Sequence, residues 1–170
     1  MGIKVIGVIL VLAGCGGFGF KLAAGHIKEE RTLRQLIRIL DYMECELQYR
    51  LTPLPSLCRQ AASESDGVLR KLFYSLALQL EDQISPDVNG CMTAVLSCQK
   101  DIPRLTQKAM EILGKSLGRF DIEGQTKGID AVRQECRINL KELTENRDVR
   151  LRKYQTLGLC AGAALAILLL

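Results

Sequence analysis

Hydrophobic and polar positions divide this chain into three parts. Residues 3–24 are apolar, interrupted only by Lys4 and Lys21, and residues 157–170 read LGLCAGAALAILLL without a charge or a proline. Between them, apolar residues recur in threes and fours among charged ones, the period of α-helices with one buried face. A first helix is expected from His26 to Leu51, on the stripe Leu33, Leu36, Ile37, Leu40, Met43, Leu47 and Leu51. It ends at Thr52-Pro53-Leu54-Pro55, because proline disfavours helix in the residue before it. Thr52 is the expected cap of a second helix, with Pro53 at its first position and Leu54, Leu57 and Ala61 inward. Ser63 to Gly67 reads as a polar turn, and a third helix follows over 68–84 on Leu69, Leu72, Phe73, Leu76 and Leu80. Ser85-Pro86-Asp87 breaks and recaps the chain. The fourth helix is lined by Cys91, Val95 and Cys98, with Met92 and Leu96. Asp101 is the expected cap of a fifth, with Pro103 just inside its start and Leu105, Ala109, Ile112 and Leu113 on its face. It runs out near Gly118. Asp121 opens the longest helix, through Ile129, Val132, Cys136, Leu140 and Leu143 towards Tyr154.

The fold expected is therefore all-α, a six-helix antiparallel bundle with amino- and carboxyl-terminal transmembrane helices. Residues 3–24 form the first span, 25–153 the helical domain and 154–170 the second span. A helix over 3–24 extends about 33 Å, enough for a hydrocarbon core of about 30 Å. Residues 154–170 give about 26 Å, with Tyr154 at the interface and local thinning absorbing the difference. No breaker separates either span from its neighbouring helix. Gly158, Gly162 and Ala166 fall on one face, where small residues let membrane helices approach, with Ala13 and Gly17 as a counterpart. Basic residues flank the spans on the domain side: Lys21, Lys28, Arg31, Arg34 and Arg38 after the first, Arg147, Arg150, Arg152 and Lys153 before the last. The positive-inside rule then puts the domain in the cytoplasm and both termini outside.

The amino end carries a rival reading. Leu12-Ala13-Gly14-Cys15 looks like the lipobox of a bacterial lipoprotein, which would hold the chain outside the cell by a lipid on Cys15. Against it, the apolar character continues through Phe18, Phe20, Leu22 and Ala23, and no polar linker follows Cys15.

Composition narrows the function. Leucine and alanine dominate and tryptophan is absent, which favours helices over sheet. A net charge of +4 with no basic run interleaved with aromatics argues against nucleic acid. Seven cysteines at irregular spacing, no C-x-x-C and a single histidine, His26, give no metal-ligand pattern. They read as reduced core cysteines. The single histidine also leaves no H-E-x-x-H and no Ser-His-Asp set. Gly114-Lys115-Ser116 resembles the end of a phosphate-binding loop, but Ala109 stands where that loop needs glycine and a helix where it needs a strand. Glycines 16, 17 and 19 lie inside an apolar span. Carboxylates such as Glu44, Glu46, Asp121 and Glu123 suit solvated helix faces or i,i+4 partners. The expectation is a non-enzyme without cofactors, whose long helix stripes serve partners.

Four motifs in order carry a resemblance. They are Arg31-x-x-Arg34-x-Leu36; Glu46-Leu47-x-Tyr49-x-x-Thr52-Pro53-Leu54; Leu113-Gly114-x-Ser116-Leu117-Gly118-x-x-Asp121-x-x-x-Gln125; and Tyr154-x-x-Leu157-Gly158 running into the apolar end. Together they resemble the stage III sporulation protein AB family of spore-forming bacteria over essentially the whole chain. That family is similar to the cytoplasmic helical domain of the inner-membrane platform proteins of type II secretion and type IV pilus machines. The resemblance implies a place in the channel between mother cell and forespore, in the outer forespore membrane, with the domain in the mother-cell cytoplasm. It implies as partners a secretion-type ATPase of the same operon and other channel membrane proteins, and it leaves room for a homo-oligomer. The implied role is a non-catalytic adaptor that passes ATPase motion to the membrane. Contacts are expected at Glu46, Tyr49, Thr52, Pro53 and Leu54 and at Leu113, Gly114, Gly118, Asp121 and Gln125, with Glu46 as an exposed charge. The same residues also suit a structural part: Thr52-Pro53 and Asp121 as caps, Gly118 as a helix stop.

Overall fold

The computed structural model describes the backbone of residues 2–83, 85–118 and 121–169, and the side chains of residue 25 and of residues 27–145 apart from 84, 119 and 120. Six helices follow one another: α1 (Gly2–Arg50), α2 (Leu54–Ser63), α3 (Gly67–Glu81), α4 (Val88–Cys98), α5 (Arg104–Ser116) and α6 (Ile122–Leu169). There is no strand among the described residues. Two units are distinguished. One is Glu29–Leu140, and the other is Met1–Lys28 together with Lys141–Leu170.

The Glu29–Leu140 unit holds the core. From α1 come Leu33, Leu36, Ile39, Leu40, Met43 and Leu47, from α3 Leu69, Leu72, Phe73 and Leu76, and from α6 Ile129, Val132 and Cys136, all buried. Contacts between helices show how some neighbours alternate in direction. Tyr42 donates to Gln60 Oε1 at 3.0 Å across α1 and α2. Met92 lies against Gly114, and Val88 against Gly118, across α4 and the end of α5. Lys108 pairs with Glu135 at 3.1 Å, and Ser116 lies against Gly128. In the α4–α5 and α5–α6 pairs one register rises as the other falls, so these neighbours are antiparallel. Of the described cysteines, Cys58, Cys91 and Cys136 are buried. Burial pushes the Cys58 thiol up to about 12. Burial, with the Glu135 charge behind it, pushes the Cys136 thiol up to about 11. Both stay protonated and inert at neutral pH.

Several boundaries differ from expectation, each for a physical reason. α1 stops at Arg50, and Leu51 leaves the apolar stripe with φ 51°. The helix there needs a residue in the left-handed conformation to turn the chain, and Leu51 ends 64% exposed. Thr52 does not cap α2. Pro53 is the cap residue, through its carbonyl, which accepts from Leu57 N at 2.9 Å. Proline at this place fixes the extended entry without a side-chain acceptor. The same holds at α5, where Pro103 rather than Asp101 precedes the first turn. The inward face of α5 is Thr106, Ala109, Met110, Leu113 and Gly114, turned from the expected one, with Leu105 and Ile112 only half-buried. Cys98 ends α4 exposed instead of facing the core. Leu54 is half-buried, while Cys58 and Ala62 join Leu57 and Ala61 inside. Asp87 and Asp121 cap as expected, accepting from Gly90 N at 3.0 Å and Gly124 N at 2.9 Å.

In the second unit the backbone is helical, Lys141 pairs with Glu145 at 3.8 Å, and Thr144 Oγ1 donates to the Lys141 carbonyl at 2.9 Å. Among the described residues no helix is long and apolar enough to cross a membrane. The stretches expected to do so, 3–24 and 154–170, lie outside the residues whose side chains are described. So do Cys15 and the expected packing face of Gly158, Gly162 and Ala166.

Candidate partner-binding surface

The two inner motifs meet at one end of the bundle. A side chain on Gly118 would come within 2.5 Å of Val88 Cγ2 and 3.7 Å of Leu54 Cδ2. Leu54 opens α2, Val88 opens α4, and Gly118 follows α5. Gly118 turns the chain with φ 73°, a conformation glycine takes without a steric penalty. Leu113 and Gly114 are buried one turn earlier, where a Cβ on Gly114 would sit 2.8 Å from Met92 Cβ. Asp121 then caps α6, and Gln125 N donates to the Asp121 carbonyl at 2.9 Å. This motif therefore builds the turn and the close helix contacts.

The Glu46–Leu54 motif splits in two. Glu46 is not an exposed charge. It is 7% exposed, accepts from Thr52 Oγ1 at 3.0 Å and pairs with Arg50 at 3.2 Å. A buried carboxylate is stable only when its lone pairs are used, and here they brace the α1–α2 turn. Nearby, burial first and the Glu46 charge next raise the Tyr42 hydroxyl above its ordinary 10.0. Tyr49 and Leu51, in contrast, stand in solvent at 80% and 64% exposure, and Pro53 is exposed between them and α2. Of the expected contact residues, Tyr49 and Pro53 are the ones presented outward at this turn.

Two arrangements lay beyond the sequence reading. Arg133 on α6 donates to Asp41 at 2.8 Å and to Glu44 and Asp130, gathering three carboxylates. Burial disfavours its charge, but the bonds to Asp130, Asp41 and Glu44 outweigh that and hold the guanidinium well above the ordinary arginine range. The available signal was the i,i+3 spacing of Asp41 with Glu44 and of Asp130 with Arg133. Glu29 Oε1 accepts from Leu105 N at 2.7 Å, so α1 supplies the acceptor that α5 lacks at its own start. Nothing local in the sequence marks that pair. Among the described residues no three histidine, cysteine or acidic side chains are grouped to hold a metal ion.

Comparison with known proteins bears on the whole chain. A curated relative, stage III sporulation protein AB of Bacillus subtilis (strain 168), is 25% identical over 171 residues, covering 99% of each chain. A solved structure of a stage III sporulation protein AB matches with a TM-score of 0.63 at 23% identity, over 72% of this chain and 98% of that one. It supports the same helical fold. The family model for stage III sporulation protein AB matches residues 4–170. With its helical bundle and both apolar ends inside that match, the chain belongs to the stage III sporulation protein AB family.

Proposed function

We propose that this protein is a non-catalytic platform component of a membrane complex that works during endospore formation. The observation that carries the reading is the extent of the family match, which runs from residue 4 to residue 170 and so takes in both apolar ends as well as the bundle. On this reading the apolar ends are membrane anchors on either side of the bundle. Residues 3–24 and 154–170 cross the outer forespore membrane, and the basic residues beside them hold the bundle in the mother-cell cytoplasm. The bundle is the docking body for a secretion-type ATPase, whose motion reaches the membrane through α1 and α6, alongside other channel membrane proteins and further copies of the chain. Tyr49, exposed on a turn braced by Glu46, is the side chain best placed for that docking.

Topology tests the reading first. A protease-cleavable tag at the exposed turn by Asp87 is compared in right-side-out and inverted membrane vesicles. Cleavage only in inverted vesicles is expected, followed by co-purification of the ATPase. Cleavage in right-side-out vesicles would end the adaptor mechanism and favour an extracytoplasmic protein lipidated at Cys15.

A further inference from the structure

One end of the Glu29–Leu140 unit is cationic, and part of that charge comes from far along the chain. The hydrogen bond from Leu105 N to Glu29 brings the start of α5 to the start of the unit. The Lys108–Glu135 pair, with α5 and α6 antiparallel, brings the exit of α6 to the same end. Arg31, Lys100, Arg104 and Arg137 are all exposed there, and none has an ion-pair partner among the described residues. The acids of this end are mostly committed: Glu29 to the α5 start, Glu30 to Arg34 at 2.9 Å, and Glu135 to Lys108. Asp101 lies at this end as well.

We propose that this end face, which includes Lys100 and Arg104, rests on anionic phospholipid headgroups. The inference rests on the membrane reading of the apolar ends. Both chain connections to those ends leave the unit here, at residues 29 and 140. Basic residues beside a span are accounted for by topology alone. Lys100 and Arg104 are not, because they lie at least fifty residues from either apolar stretch and reach this end only through the fold. A cation held at an anionic surface gains about fivefold in association, an effect that fades within roughly a Debye length of 8–10 Å. Four cations on one face without an ion-pair partner among the described residues suit a lipid surface better than a single acidic side chain.

The test uses the full chain in nanodiscs of phosphatidylcholine alone or with phosphatidylglycerol at three parts in ten by design (roughly a cytoplasmic-leaflet charge). Hydrogen exchange is followed in the segment 99–106. Exchange is expected to be slower in the phosphatidylglycerol discs, with the difference lost at high salt and in the Lys100→Gln/Arg104→Gln variant, by about fivefold for each charge removed. Both side chains are exposed, so the variant should keep the parent's thermal midpoint in detergent. Equal exchange in the two discs, in a chain that stays embedded through an alkaline carbonate wash, would overturn the proposal and leave the membrane reading intact. Release of the chain by that wash would overturn both. Protection that appears only when other channel proteins are added would assign the face to an acidic protein instead.

Discussion

Removing the Arg133 guanidinium would leave Asp41, Glu44 and Asp130 facing one another. Arg133 is 18% exposed as a side chain and Glu44 20%, so their charges are only partly screened by water. Breaking a buried pair by deleting one partner costs about 3–5 kcal/mol, and the more exposed Asp41 and Asp130 lower that here. Arg133→Met is expected to lose about 2 kcal/mol at neutral pH, measured by urea unfolding. The loss should shrink in acid, where protonation removes the repulsion among the three carboxylates. At the other end of the pH scale, the buried thiols set a limit. Cys58 and Cys136 bind their protons more tightly folded than unfolded, with values near 12 and 11 against an ordinary 9.0. Their contribution is fully present below pH 9 and is lost as pH rises through 11 and 12. Stability should therefore fall steeply above pH 9, and Cys58→Ala should make the fall shallower while costing some packing. Neither result was legible from the sequence in full. The buried thiols were legible in part, because cysteine is commonly a small core residue, but Cys45 and Cys98 are exposed. The Arg133 cluster was not, because two of its partners lie 92 and 89 residues away.

At the scale of elements, apolar period placed all six helices, because one buried stripe per helix leaves a 3.6-residue signature that needs no neighbour to be read. Ends were less legible. Thr52 and Asp101 carry good capping side chains, yet the chain enters α2 and α5 through Pro53 and Pro103, whose carbonyls begin the helical ladder at 2.9 Å each. A proline's fixed backbone angle outranked a side-chain acceptor. The face of α5 was misread because Thr106 counts as polar in a pattern, whereas its neighbours in space bury it completely. Two turn residues give opposite expectations from one principle. Gly118→Ala should cost about 1–2 kcal/mol, since φ 73° disfavours any side chain and Val88 Cγ2 stands 2.5 Å from the new methyl group. Leu51→Gly should stabilise by about 0.5–1 kcal/mol, since Leu51 holds φ 51° and buries little. Thermal melts of the two variants beside the parent check both signs.

For the whole molecule, the ends and the bundle pose separate questions. Two of the sequence motifs meet at one end of the bundle, but the sequence could not sort their residues into enclosed and exposed. Glu46 and Tyr49 differ by three positions on one helix, and only packing reveals that the first is enclosed and the second exposed. That difference is testable in the intact protein. Tyr49→Ser should leave the melting temperature nearly unchanged, as exposed substitutions do, and weaken recovery of the ATPase. Glu46→Ala should lower the melting temperature by removing the acceptor for Thr52 and Arg50. Equal ATPase recovery with Tyr49→Ser would move the docking surface elsewhere. The hydrogen bond between Glu29 and Leu105 carries a last consequence, for manufacture. It joins positions 76 apart. A chain made from its amino end has completed α1 before α5 emerges from the ribosome. Beginning a helix is the costly step in forming one, and α5 meets a ready acceptor for its first turn. The order of synthesis and the order of support run the same way.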